Sequence, residues 1–226
     1  MSVLVVAAHP DDEILGCGAT MAKRAASGEA VDVLILGEGS TARAASRETG
    51  DQRLVDRLRA DCRSAADAVG VRDVVLEGLP DNRFDTVALL DVVKLVEREI
   101  EARRPTTVLC QHGGDVNVDH RTVFQAVLAA TRPVPGHPVR EVLAFEVGSS
   151  TEWAFGALAP PFRPMVFEDV TGFLDAKVAA LRCYPSELRA FPHPRSPEAL
   201  RAAAARWGSA VGVAAAEAFA PVRLIR

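Results

Sequence analysis

Short apolar runs alternating with helix-patterned stretches constrain this 226-residue chain more than any other feature. Val3–Ala8, Val31–Leu36 ("VDVLIL"), "DVVLEGL" (73–79), Thr106–Cys110 and "REVLAFEV" (140–147) have the continuous apolar character of buried strands. Between them, residues 14–27, 51–69, 86–103 and 120–131 carry apolar side chains at helical spacing, with Leu54, Leu58, Ala65, Ala66 and Val69 on one face of the second stretch. Repeated strand–helix–strand units with right-handed crossovers predict an α/β fold: a Rossmann-like, doubly wound, mostly parallel sheet with helices on both faces. After about residue 160 the pattern changes to a short strand ("PMVFEDV"), a helix from about 171, a Pro-rich loop and an Ala-rich helix from 197. The length suits one domain, 1–226, with this C-terminal extension packed on it.

Composition excludes several classes of function. A net charge of -4 and no basic stripe argue against a nucleic-acid partner. No apolar run approaches the ~20 residues of a membrane span. The N-terminus enters a strand directly and lacks the pattern of a signal peptide. Cys17, Cys62, Cys110 and Cys183 are scattered without metal-ligand spacing, as in a reducing compartment, so a cytoplasmic location is expected.

The unusual stretch is "AAHPDDEILGCGAT" (7–20), where an imidazole and three consecutive acids follow the first strand. In a doubly wound sheet this is the ligand-binding end. Helix capping accounts for one or two acids at the positive end of a helix. Three acids beside a His call for something positive, and a metal ion held by His9 and Asp12 meets that need. A catalytic zinc site uses three protein ligands, so a third is expected at another strand end. His112 and His120 bracket the loop after the fourth apolar run, and His120 mirrors the placement of His9 at a helix start. Alone, His120 has the place of a cap or surface residue; paired with His9 across one sheet edge, it becomes the expected third ligand. A nucleotide-binding module without catalysis is the competing reading. It fails in detail, because Gly16 and Gly18 fall within the helix and acids fill the turn that would face pyrophosphate.

"AHPDDE" after a first strand, with the later "D-x-N-x-D-H" at 115–120, resembles the LmbE-like or PIG-L family of zinc-dependent N-acetyl-sugar deacetylases. "LGEG", "LPDNRFDT" and the closing "PHPRSPEAL…VGV…AEAF" extend the resemblance over nearly the whole chain. It implies one Zn2+ per chain, or another divalent metal, on His9, Asp12 and His120, with Asp11 as the general base toward a zinc-bound water. Hydrolysis would release acetate and a free amine from an N-acetyl amino sugar of GlcNAc type, free or conjugated. Such enzymes serve secondary-metabolite tailoring, thiol synthesis or surface-glycan synthesis. The resemblance also implies a homo-oligomer, trimer or hexamer. Another metal-dependent amidohydrolase on the same scaffold is the alternative.

This chain departs from the family at Asn117, where many members carry a His assigned to oxyanion stabilisation or acid catalysis. An Asn amide donates a hydrogen bond but shuttles no proton at neutral pH. His193 or His112 would then supply the acid, or each is simply structural. Asp119 is expected to orient His120 or a neighbouring group, and Asp115 to do likewise or to face substrate hydroxyls. Glu13 is a helix-start or supporting residue. Asp81 in the "LPDNR" turn would grip sugar hydroxyls, or else serve the turn itself. Arg83 would reach an anionic substituent or pair with Asp81 or Asp85. Glu38, Arg43 and Arg195 are further candidate substrate contacts, and Trp153 either walls the sugar site or packs.

Overall fold

A computed structural model describes residues 2–39, 52–158 and 160–226. The elements run β1 (Ser2–Ala7), α1 (Asp12–Ala26), β2 (Ala30–Gly37), α2 (Gln52–Ala68), β3 (Asp73–Leu79), α3 (Leu89–Arg103), β4 (Thr107–Gln111), α4 (Val118–Ala130), β5 (Glu141–Phe145), β6 (Val166–Asp169), α5 (Leu174–Arg182), α6 (Pro197–Val211) and β7 (Ala216–Leu224). They form one seven-stranded sheet of order β3-β2-β1-β4-β5-β7-β6. β1 to β5 are parallel, with Val5 opposite Val33 on one side and Leu109 on the other. β7 runs antiparallel to both β5 and β6. Among the described residues no helix is long and apolar enough to cross a membrane.

Alternation along β1 builds the two cores. Val3, Val5 and Ala7 face a layer that includes Met21 of α1, Cys62 and Ala65 of α2 and Leu181 of α5. Leu4, Val6 and Ala8 face the opposite layer, with Val92, Val96 and Ile100 of α3 and Val123 and Val127 of α4. Each fully buried Val or Leu contributes about 1.5–3 kcal/mol. A charge at Val5, which is completely buried in an interior strand, would therefore destabilise the sheet.

Two boundaries differ from the sequence expectation. α3 begins at Leu89, because Phe84–Thr86 first make a 3-10 turn. α4 begins at Val118, because Asn117 caps it by accepting the Asp119 N–H. The larger difference is β7, a strand that the apolar pattern did not announce. Its sequence, AEAFAPVRL, contains a proline, which disfavours a ladder position. Pro221 stands opposite Leu143, next to the register shift between Val142 and Leu143, and that irregularity accommodates it. The segment after residue 160 thus supplies two strands of the main sheet.

Candidate metal centre

β1 lies between β2 and β4, and the helices that follow β1 and β4 cover opposite faces, so a crevice opens beyond their carboxyl ends. The β1–α1 turn brings His9, Asp11 and Asp12 there, and the β4–α4 loop brings Asp115 to His120. Local hydrogen bonds shape the first turn. The His9 N–H donates to Asp12 Oδ2 at 2.8 Å and the Asp11 N–H to Glu13 Oε2 at 3.1 Å. Glu13 thus meets the N–H of the N-cap residue, whereas the Asp12 carboxylate ties the turn back to His9 and caps no helical N–H. Asp11 occupies the N-cap in a left-handed conformation (φ 98°) and its own carboxylate caps nothing.

His9, Asp12 and His120 offer ligand atoms within 4.8 Å of one another. Nδ1 of His9 is 3.3 Å from Asp12 Oδ2, and Nε2 of His120 is 3.2 Å from the same oxygen. Gln111, at the end of β4, donates its amide to that oxygen at 2.9 Å. The other nitrogen of each imidazole meets a second carboxylate. His9 Nε2 is 2.8 Å from Asp119 Oδ2, and His120 Nδ1 is 3.1 Å from Asp115 Oδ2. Asp115 is held in turn by the hydroxyls of Ser150 and Thr151 and by the Asn117 N–H. Asp119 accepts the Asn82 N–H at 2.7 Å and the Phe84 N–H at 2.9 Å.

The electrostatics suit a cation. Burial alone would lower the His9 imidazole, but hydrogen bonds to Asp119 and Asp12 and the charges of Asp12 and Asp81 lift it to about 10. Burial opposes the same rise at His120, yet Asp12 and Asp115 lift it to about 9. Asp12 is held well below its ordinary range: its burial acts the other way, and the two imidazoles outweigh it. With neutral imidazoles, buried Asp12, Asp115 and Asp119 leave uncompensated negative charge. Two imidazole nitrogens and a carboxylate oxygen, each imidazole backed by a second carboxylate, form a donor set that fits a divalent ion.

Asp11 lies beside this cluster. Burial pushes its carboxyl well up; the Arg195 guanidinium opposes that, and the charges of Asp12, Glu187 and Glu13 add to it. Arg195 Nη1 donates to Asp11 Oδ2 and to Glu187 Oε2, both at 2.9 Å, and its Nε donates to the Ser149 hydroxyl at 2.8 Å. In this structure Arg195 pairs with the acid beside the candidate ligands, where the sequence pointed to a substrate contact. Glu13 accepts the Tyr184 hydroxyl at 2.7 Å, and burial raises its carboxyl to about 7 despite that bond.

Asp81 is buried, with Oδ1 3.3 Å from His9 Nε2, so it belongs to the wall of the crevice. Arg83 is exposed on the same turn, and Glu38 follows β2, its N–H on the Leu79 carbonyl. Asn117 accepts the Asp119 N–H and donates Nδ2 to Asn82 Oδ1 at 2.9 Å. His193 accepts the Arg195 N–H on Nδ1, and its ring meets Trp153 edge-on, 5.9 Å between centroids. His112 Nε2 binds the Pro160 carbonyl at 2.7 Å, and its ring packs on Phe124 and Phe162. Arg43 lies outside the described residues. Asp119 serves His9, and Asp115 serves His120. Gln111, Ser150, Thr151, Tyr184 and Glu187 carry no motif, and sequence reasoning missed them.

The profile of the PIG-L family, described as GlcNAc-PI de-N-acetylase, matches residues 4–131, more than half of the chain. The chain is 28% identical over 190 residues to an uncharacterized deacetylase, YaiS, of Escherichia coli, covering 81% of this chain and 90% of that protein. It is 30% identical over 210 residues to 1D-myo-inositol 2-acetamido-2-deoxy-alpha-D-glucopyranoside deacetylase of Nakamurella multipartita, covering 77% and 70%. The crystal structure of the conserved protein TT1542 from Thermus thermophilus superposes with a TM-score of 0.77 at 25% identity, covering 99% of this chain and 95% of the other. The His-Pro-Asp-Asp turn, the Asp-His pair that closes the crevice and the match across both place this chain in the PIG-L family.

Proposed function

We propose that the protein is a metal-dependent deacetylase that hydrolyses the N-acetyl group of a GlcNAc-type amino sugar, free or conjugated, to acetate and a free amine. The observation that carries this reading is the convergence of His9, Asp12 and His120, with Asp11 as the neighbouring acid. These three residues would hold the ion. A bound zinc ion supplies Lewis acidity toward the amide oxygen and acidifies water.

The chain's own groups then divide the work. Arg195 fixes Asp11 through Oδ2, which leaves Oδ1 to take the proton of the attacking water and return it to the departing nitrogen. Asn117 holds Asn82 with its Nδ2, and the second hydrogen of that amide is the donor for the developing oxyanion. His193 accepts on Nδ1, which supports the Nε2–H tautomer, and that N–H is the donor this reading assigns to the departing amine. Asp81, Arg83 and Glu38, at the ends of β3 and β2, orient the sugar hydroxyls and substituents. A nucleotide-binding module is disfavoured, because buried Asp11 and Asp12 would repel a pyrophosphate.

The test is metal content together with acetate release. Wild type and His120→Ala are compared for zinc per chain and for acetate freed from a panel of N-acetylglucosamine compounds and unrelated acetamides. The reading expects about one zinc per wild-type chain, lost with acetate release in the variant. Folded wild type that takes up no divalent metal on reconstitution refutes it. Turnover of the unrelated acetamides alone would replace it with another amidohydrolase.

A further inference from the structure

The helix that carries Asp12 is not continuous. α1 is broken at Cys17, whose φ of -143° and ψ of 24° lie outside the helical region. Only one turn, Asp11 to Leu15, separates the proposed base and metal ligand from that joint, and it is closed by the Leu15 N–H donating to the Asp11 carbonyl at 2.8 Å. An unbroken helix would pair the Leu15 carbonyl with the Ala19 N–H. Here two buried side chains from distant elements take up these groups. Lys177 of α5 donates Nζ to the Leu15 carbonyl at 2.8 Å. Glu217 of β7 accepts the Ala19 N–H at 3.2 Å and the Thr20 N–H at 2.7 Å. The two side chains join each other at 2.5 Å, Nζ to Oε1. A side chain inserted into the helical ladder is a recognised origin of a kink.

The glycines on either side of Cys17 fit the same device. A Cβ on Gly16 would lie 2.1 Å from the Phe145 ring, and one on Gly18 would lie 3.1 Å from Lys177 Cγ. The "GCG" run that imitates a nucleotide loop thus makes room for Phe145 and Lys177. A cavity of about 230 Å³, bounded by Leu15, Gly16, Leu200, Ala204 and Trp207, borders the joint. Lys177 and Glu217 themselves line the cavity, so on that side the joint is braced by these two side chains and by Phe145 against Gly16.

We propose that Lys177 and Glu217 are positioning residues for the metal-binding turn. Lys177 holds the carbonyl end of the turn that carries Asp11 and Asp12, Glu217 holds the start of the second half of α1, and their ion pair locks the angle between them. This inference rests on the metal-hydrolase reading. Its test reads zinc affinity without substrate, by competition with a chromogenic chelator, for wild type, Lys177→Met, Glu217→Gln and the double variant. Far-UV circular dichroism and urea unfolding monitor the fold. Val178→Ala, a core truncation in the same helix, is the control for lost stability alone.

The expected result is a 10- to 100-fold weaker zinc constant in each folded variant, the range for groups that orient metal ligands. The Val178→Ala constant is expected to stay within twofold of wild type. The double variant leaves no buried charge without its partner, so it keeps the test open where a single variant does not fold. Zinc constants in the folded variants that match Val178→Ala overturn the proposal and leave the pair a stability feature. A wild type that binds zinc but releases no acetate removes the deacetylase reading and leaves this test intact. A wild type without zinc affinity overturns both.

Discussion

Replacing Asp119 with Asn tests the assignment of Asp119 to His9 most sharply. The carboxylate is fully buried and receives three donors: His9 Nε2 at 2.8 Å and the Asn82 N–H at 2.7 Å on Oδ2, and the Phe84 N–H at 2.9 Å on Oδ1. An amide has one accepting oxygen. Kept on the side with two donors, it turns its NH2 toward the buried Phe84 N–H, and one unsatisfied buried donor costs about 1–3 kcal/mol. His9 keeps a neutral acceptor in place of a charged one. The loss of orientation lowers metal affinity about 10- to 100-fold, roughly 1.4–2.7 kcal/mol. Chelator competition gives the zinc constant, urea unfolding of the metal-free protein gives the stability, and nitrogen chemical shifts of labelled histidines show which ring responds. The assignment expects the His9 signals to move. A zinc constant within twofold of wild type, or movement of His120 with His9 unchanged, refutes it.

Other substitutions probe different parts of the molecule. Gly16→Ala places a methyl 2.1 Å from the Phe145 ring, so unfolding in urea should show a loss of about 1–3 kcal/mol, largely recovered in Gly16→Ala/Phe145→Leu; a Gly16→Ala chain as stable as wild type counts against the packing described. Arg195→Gln removes the cation that lowers Asp11, so the acid limb of the kcat/KM profile for acetate release should move to higher pH; a limb that stays in place separates Arg195 from the base. Glu168 is held below its ordinary value because Lys23 and Arg24 outweigh its burial. Its stabilisation is present above the unfolded value of about 4.3 and is lost as pH falls through the lower folded value. Unfolding free energies of wild type and Glu168→Gln in urea should thus differ by about 1 kcal/mol at neutral pH, and the gap should shrink as the medium is made acid; a gap that does not shrink refutes the linkage.

The parallel half of the sheet is legible in the sequence because strands covered on both faces are continuous apolar runs. The antiparallel part is less so. β7 follows an Ala-rich helix and carries Pro221, and only the irregular register opposite Leu143 makes that proline acceptable. In the site, His9 and Asp12 are three residues apart in one turn, and their convergence can be read locally. The partners of the imidazoles cannot. Asp119 precedes His120 directly, yet adjacent helical residues do not face each other, so Asp119 crosses to His9 and the loop folds Asp115 back onto His120. Arg195 reaches Asp11 across 184 positions of sequence. Nothing in its neighbourhood marks it as the partner of that acid, since the meeting depends on how α6 and its preceding loop dock.

The insertion of β7 between β5 and β6 has a consequence for synthesis on the ribosome. β5 ends at Phe145 and waits for a neighbour that runs from Ala216 to Leu224. At about 5–20 residues per second, roughly 80 further residues take about 4–16 s to emerge. Through that interval the nascent chain carries a bare, apolar strand edge of the kind that recruits foreign strands. α1, among the first segments to appear, also lacks the Glu217 carboxylate that receives its Ala19 and Thr20 amides until nearly 200 residues more have been made. The N-terminal half is therefore translated well before it can finish folding, and its yield in a cell should depend on what shields that edge in the meantime.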